Sequence, residues 1–249
     1  MIPLTIITIN RNNASGLQKT IASVINQTFS NFEYIIIDGT SDDNSVDIIK
    51  KNDKYIDSWL SEPDNGIYHA MNKGIALAQG EYILFQNSGD YLYDNNVLQL
   101  IFSYNFYEDI LYGDLIIDLT NGKEKSVIFP DKLTFYHLFT EYIGHNSTLI
   151  SRRLFNEIGY YNEKLNIVAD WEFFLLALAK YNCSSKHVPV TVSMTEGNGI
   201  SRNSSRINQV IGERTQVMQN HFPIFFEDYI QLQKTKELTL KKKLKQLIK

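Results

Sequence analysis

The chain has 249 residues, 43% of them hydrophobic and 21% charged, which suffices for one large domain with a buried core and excludes disordered, collagen-like and repeat-only architectures. The net charge of −4 combines an acidic body with a lysine-rich end (Lys234, Lys236, Lys241, Lys242, Lys243, Lys245, Lys249), a distribution that argues against nucleic acid as a partner. The single cysteine, Cys183, excludes an internal disulfide, and with no secretory leader pattern and no run of about 18 apolar residues the expected location is cytoplasmic.

Pro3 to Asn10 is apolar and β-branched and ends in polar residues, which predicts a buried first strand delivering Thr8, Asn10 and Arg11 to its carboxyl end. Ser15 is expected to cap a helix that carries Leu17, Ile21, Val24 and Ile25 at helical spacing. Glu33 to Asp38 reads as a second strand, running into a turn from Gly39 to Asn44. A helix from Asn44 to Lys51, a short strand near Asp57 to Leu60, a helix from Ile67 to Ala78 and a strand from Glu81 to Gln86 continue the alternation. Such alternation predicts an α/β fold, a mostly parallel central sheet flanked by helices, with ligands beyond the carboxyl ends of the strands.

After Asp90 the pattern is less regular and mixed strand directions are expected. Helices are predicted at Asn96 to Phe106, Arg152 to Ile158 and Asp170 to Tyr181, with strands at Ile110 to Ile117 and His187 to Met194. A hairpin turn falls at Asn121-Gly122, and Thr195 to Ser205 reads as a mobile polar loop. From Ile207 the sequence is helical, broken at Pro223, and ends with Leu238, Leu240, Leu244, Leu247 and Ile248 among lysines. That tail fits either a helix folded back on the body or peripheral contact with an anionic membrane surface.

Two strand ends carry acids. In Ile35-Ile36-Ile37-Asp38-Gly39-Thr40, Asp38 either faces a ligand crevice, where a carboxylate suits ribose hydroxyls or base N–H groups, or makes a local turn before a helix capped by Asp43 or Asn44. In Phe85-Gln86-Asn87-Ser88-Gly89-Asp90, Asp90 is the candidate ligand for a hard divalent cation, Mg or Mn, which needs few protein carboxylates when substrate phosphates complete its shell. No Gly-x-Gly-x-x-Gly follows the first strand, which disfavours a dinucleotide-dependent oxidoreductase.

Taken in order, Thr8-Ile9-Asn10, Ile36-Ile37-Asp38-Gly39-Thr40-Ser41-Asp42, Ser61-Glu62-Pro63-Asp64-Asn65-Gly66-Ile67-Tyr68 with Ala70-Met71-Asn72-Lys73-Gly74, Asn87 to Asp90, and Ala169-Asp170-Trp171-Glu172 resemble the family 2 glycosyltransferases from Leu4 to about Ser201. The resemblance implies the GT-A nucleotide-diphospho-sugar transferase fold, with a catalytic domain over residues 1–205, its nucleotide-binding half at 1–95 and acceptor half at 96–205, and a helical C-terminal extension at 206–249. It implies an inverting, metal-dependent hexosyltransferase that moves a sugar from a nucleotide-diphosphate donor to a glycan or lipid-linked acceptor hydroxyl in bacterial polysaccharide or glycoconjugate synthesis. Transferred by position, Thr8, Asn10, Asp38, Asp64, Gly66, Tyr68 and Asn72 would bind the donor nucleotide, Asp90 the metal, and Asp170 would be the base. The sequence departs from the family's aspartate-any-aspartate pattern, because Asn87 or Ser88 replaces the first acid. A catalytically silent nucleotide-sugar-binding protein is therefore the alternative.

The chemistry needs a carboxylate within hydrogen-bond reach of the attacking hydroxyl. Asp170 suits that role, although an aspartate before a helix is also a favoured N-cap. Trp171, Phe173 and Phe174 read as core. By the same resemblance His145, in Gly144-His145-Asn146-Ser147, would lie near the acceptor and the catalytic acid, as an acceptor contact or in the metal shell, the alternative being a structural histidine; His69 and His137 read as surface or packing residues. Arg202, in a loop with hinge glycines Gly197 and Gly199, would close over the diphosphate.

Overall fold

The computed structural model describes residues 2–119, 123–197, 204–232 and 234–235. Strand β1 (Leu4–Asn10) is buried along its whole length and pairs in parallel with β2 (Phe32–Asp38) and β4 (Tyr82–Phe85); β3 (Ser58–Ser61) adds in parallel to β2. Residues such as Ile6, Ile7, Ile35 and Ile36 are fully buried, each contributing roughly 1.5–3 kcal/mol of transfer free energy. The connections are helices α1 (Ala14–Ile25), α2 (Ser45–Lys51) and α3 (Ile67–Leu77), as the alternation predicts.

The register aligns the carboxyl ends: Asn10 lies opposite Asp38, and Asp38 opposite Ser61. Past the end of β4, Gln86 N–H bonds Ile7 O and Ser88 N–H bonds Ile9 O, so the turn after β4 emerges at the same edge.

Beyond β4 the sheet is mixed. Among the described residues it has nine strands in the order β3-β2-β1-β4-β8-β6-β9-β5, with β7 paired to β6. Here β5 is Asp90–Leu92, β6 Ile110–Leu119, β7 Lys123–Val127, β8 Thr148–Ser151 and β9 Ser185–Glu196. Strand β8 is antiparallel to β4 and β6, while β9 runs parallel to β6 and antiparallel to β5. The antiparallel β6–β7 pair matches the expected hairpin, whose turn residues Asn121 and Gly122 lie outside the described residues.

The helices of this half are α4 (Val97–Ser103), α5 (Phe135–Thr140), α6 (Arg153–Glu157), α7 (Ala169–Leu175) and α8 (Ile207–His221). Four local expectations are corrected. Asn13, not Ser15, caps α1, its Oδ1 accepting from Gly16 N–H at 3.1 Å. Helix α4 stops at Ser103, because the chain turns extended at Tyr104 and Phe106 then packs edge-on against Tyr82. The helix predicted from Asp170 to Tyr181 is α-helical only to Leu175 and continues as a π-helical turn over Leu176–Lys180. Thr195 and Glu196, assigned to a polar loop, belong to β9. Trp171, Phe173 and Phe174 are buried. Among the described residues no helix is long and apolar enough to cross a membrane.

Candidate active site

A cavity of about 600 Å³ opens at the carboxyl edge of the sheet, bounded by the ends of β1 and β4, the N-terminus of α3, the segment before β8 and the start of α7. Asn10, Asp64, Gly66, Tyr68, Asp90, His145 and Asp170 all line it. Thr8, Asp38 and Asn72 do not. Thr8 is fully buried and its hydroxyl meets Tyr34 Oη at 3.0 Å; Asn72 braces the chain around Tyr161, donating to Tyr161 O at 2.9 Å and Glu163 Oε1 at 2.8 Å and accepting from Tyr161 N–H at 3.0 Å.

Asp38 is also fully buried and its oxygens are taken by Asn10 Nδ2 (2.8 Å), Ser41 Oγ (2.6 Å), Ser41 N–H (3.0 Å) and Ser61 Oγ (2.7 Å). Burial works to raise its pKa, but these bonds hold it below the usual carboxylate range. Its effect on the cavity passes through Asn10. A carboxylate only accepts, so it fixes Nδ2 of Asn10 inward and leaves Asn10 Oδ1 as a buried acceptor without a protein partner among the described residues.

Asp64 accepts from Gly66 N–H at 3.0 Å and lies 3.9 Å from the exposed Arg11 guanidinium. Gly39 makes room for it, since a Cβ there would lie 2.1 Å from Asp64 Oδ2. The adjacent His69 accepts from Asn65 N–H at 3.1 Å and so holds the turn that opens α3.

At the turn after β4, Gly89 has φ +100, a conformation that favours glycine. Helix α1 holds this turn: Thr20 donates to Asp90 O at 2.6 Å and Asn13 Nδ2 to Ser88 O at 3.0 Å. Glu196, across the Asp90–Thr195 strand pair, also lines the cavity, and its Oε2 lies 3.4 Å from where a Gly89 Cβ would be. The sequence alone gave no reason to pair Glu196 with Asp90, because 106 positions separate them and the pairing of β5 with β9 is a long-range event. Among the described residues no group of three or more His, Cys, Asp or Glu side chains converges as a metal cage. Asp90 and Glu196 are nevertheless hard oxygen donors, a set that suits Mg or Mn sharing its shell with phosphates rather than a soft metal.

The densest polar cluster surrounds Asp170, which sits in the first turn of α7 with its side chain 20% exposed. It is not the N-cap; that position is Val168. Oδ1 accepts from Tyr68 Oη and from Trp171 N–H, both at 2.9 Å, and Oδ2 accepts from His145 Nδ1 at 2.9 Å. Burial works to raise its pKa, yet the His145 bond and charge, then Tyr68 and the Trp171 amide, hold it below the usual range. The Tyr68 hydroxyl also reaches Ile167 O at 2.7 Å. Burial, and after it the charge of Asp170, push the phenol well above its usual pKa, so it stays a neutral donor.

His145 Nε2 meets Asn87 Nδ2 at 3.0 Å. This contact fits a neutral imidazole accepting at Nε2, and because Asn87 Oδ1 is buried without a partner among the described residues, a flipped amide would accept from an imidazolium instead. An aspartate at position 87 would favour only the charged form. Arg202, the expected lid residue, lies outside the described residues.

The model of the family described as glycosyl transferase family 2 matches residues 5–159. A PGL/p-HBAD biosynthesis glycosyltransferase of Mycobacterium bovis is 31% identical over 197 residues, 76% of this chain and 75% of the relative. An uncharacterized glycosyltransferase of Mycobacterium tuberculosis is 31% identical over 186 residues, 70% of this chain and 68% of the relative. Among solved structures, S. aureus TarS 1-349 in complex with UDP-GlcNAc aligns with a TM-score of 0.66 at 17% identity, over 88% of this chain and 67% of that one. The chain spans 43% of a longer TarS structure. The mannosyltransferase PcManGT from Pyrobaculum calidifontis, in complex with GDP-Man and Mn2+, aligns with a TM-score of 0.62 at 12% identity, over 91% of this chain and 67% of that one. With a GT-A fold and relatives of this kind, the chain belongs to glycosyl transferase family 2.

Proposed function

We propose that this glycosyltransferase inverts configuration at the transferred sugar, using Asp170 as general base toward an acceptor hydroxyl. The observation that carries the reading is the bonding of Asp170: Oδ1 is filled by Tyr68 and Trp171, whereas Oδ2 has His145 alone among the described residues. Oδ2 therefore keeps a lone pair for the acceptor proton. The acceptor oxygen bonds to the anomeric carbon, the bond from that carbon to the diphosphate breaks, and the proton moves to Asp170 Oδ2.

The donor is a UDP-, GDP- or dTDP-sugar. Asn10 Oδ1 supplies an acceptor for a base N–H or ribose hydroxyl, and the N-terminus of α3, with Gly66 and Ile67 at the cavity wall, favours the diphosphate. Asp90 and Glu196 would hold the Mg or Mn ion. When bound, that ion stabilises negative charge on the leaving diphosphate. Tyr142, Ile143 and Ile167 form an apolar wall beside Asp170, suited to a glycan or lipid-linked acceptor. A role in polysaccharide or glycoconjugate synthesis follows from that acceptor class. We assign the enzyme to the cytoplasmic side of a membrane, with the lysine-rich residues after Thr235 as the peripheral contact; those residues lie outside the described ones.

A thermal-shift panel of UDP, GDP, dTDP and CDP, each with and without Mn2+, tests the donor site, since a ligand that binds only the native state raises Tm. One nucleotide giving a shift that grows with Mn2+ is the expected result. No shift with any nucleotide would contradict the reading.

A further inference from the structure

Three consecutive backbone N–H groups just ahead of Asp170 converge on one carboxylate from another part of the chain. Asn166 N–H donates to Glu213 Oε1 at 3.1 Å, and Ile167 and Val168 N–H donate to Oε2 at 2.9 and 3.2 Å. Glu213 lies on α8, is 9% exposed, and is itself oriented by Gln209 Nε2 at 3.0 Å. Val168 is the N-cap of α7 and makes no side-chain cap bond; from α8, Glu213 accepts instead from the Val168 N–H and from the two amides just ahead of the helix. Bonds to a charged acceptor are stronger than neutral ones, and three on one buried carboxylate fix the segment closely.

That segment is part of the site. Asn166 and Ile167 line the cavity, and the Ile167 carbonyl accepts from the same Tyr68 hydroxyl that reaches Asp170. The Ile167 residue is thus held by Glu213 on its N–H side and by Tyr68 on its C=O side. The next residue on α8, Arg214, stacks over Trp171 with its guanidinium carbon 4.6 Å from the ring centroid and donates to Glu141 O at 3.1 Å. Helix α8 therefore grips the chain on both sides of Asp170 and ties down the end of α5, from which the chain leads to His145.

We propose that Glu213 is a positioning residue for the catalytic carboxylate, and that α8, beyond the segment matched by the family model, completes the active site. This rests on the reading of Asp170 as base. A displacement on the order of 1 Å at a reacting group can cost about 100-fold in rate.

The test compares the full chain with Glu213→Ala and Glu213→Gln by two independent readouts. The first is the NMR resonance of the His145 Nδ1 proton, assigned by its absence in His145→Gln, which reports the bond to Asp170 without turnover. The second is kcat and KM for sugar-nucleotide turnover, beside the Kd of the bare nucleotide. Expected for E213A are loss or broadening of the resonance and a fall in kcat of roughly 10–100-fold, with nucleotide Kd within about twofold of the wild type. E213Q keeps one oxygen for Ile167 and Val168 but none for Asn166, and should lie between the two, which also decides the matter if E213A does not fold. Wild-type resonance and kcat in a folded variant would overturn the proposal, as would a loss of nucleotide affinity parallel to the loss of kcat. A wild type that turns over no sugar nucleotide would sink the reading of Asp170 as base, and the resonance would still decide whether Glu213 sets its position.

Discussion

His145 Nδ1 donates to Asp170 Oδ2 at 2.9 Å, joining the turn before β8 to the first turn of α7 at the wall of the cavity. Burial alone would raise the Asp170 pKa, and the hydrogen bond and charge of His145 are the largest influences opposing it. In His145→Ala burial is less opposed, so the Asp170 pKa rises and the acid limb of the kcat/KM profile moves to higher pH. The stability sign follows. A carboxylate held below its unfolded value, about 3.9 for Asp, contributes stability that is present above that value and lost as pH falls through the lower folded one. The advantage of wild type over H145A in urea unfolding should therefore be present at neutral pH and shrink in acid. An unmoved acid limb would contradict this.

Tyr68 has one hydroxyl proton and two acceptors, Ile167 O at 2.7 Å and Asp170 Oδ1 at 2.9 Å. Tyr68→Phe leaves both short of a donor where Tyr68 itself is buried. The expected loss is about 1–3 kcal/mol of stability and roughly tenfold in kcat through a less well-held base. Denaturant unfolding and steady-state kinetics measure the two, and a kcat equal to the wild type would remove Tyr68 from the base's support.

Gly39 is required by space: any Cβ meets Asp64 Oδ2 at 2.1 Å. Gly39→Ala must push Asp64 away from Gly66 and Arg11, at a cost of about 1–3 kcal/mol for overpacking. Calorimetric titration should find nucleotide affinity lowered more than stability. Unchanged affinity would mean that the Asp64 turn does not shape the donor site.

Asp90 begins β5 at the cavity wall, beside the Glu196 end of β9. Asp90→Asn should abolish the extra Tm gained with Mn2+ while the shift from nucleotide alone persists. If the Mn2+ increment survives in D90N, the ion is held elsewhere.

The parallel half of the fold was legible because its two longest strands, Leu4–Asn10 and Phe32–Asp38, are compact apolar runs ending in polar residues, and helical spacing between them and the shorter runs that follow sets the alternation. The strands β5 and β8 were not, because Asp90–Leu92 and Thr148–Ser151 are too short for a period to show and fall outside the regular strand–helix alternation that marked β3 and β4. Helix α5 is aromatic-rich, Phe-Tyr-His-Leu-Phe, and its composition speaks for strand more than helix. At the site, strand-end position marked out Asn10 and Asp90, and both line the cavity. The same rule could not distinguish Asp38 from Asn10. Whether a strand-end acid faces the cavity or holds the residue that does depends on Ser41 and Ser61, brought to it by tertiary structure. Glu213 carries no local mark of this role, since the backbone amides it holds lie 45 to 47 positions away.

In the proposed mechanism Asp170 takes the acceptor proton. Its most direct test is Asp170→Asn, which keeps the shape of the side chain and removes the base, measured as sugar-nucleotide turnover beside nucleotide binding. Turnover lowered by about 100-fold or more, with nucleotide Kd and Tm close to the wild type, is the expected result. Full turnover in D170N would contradict it.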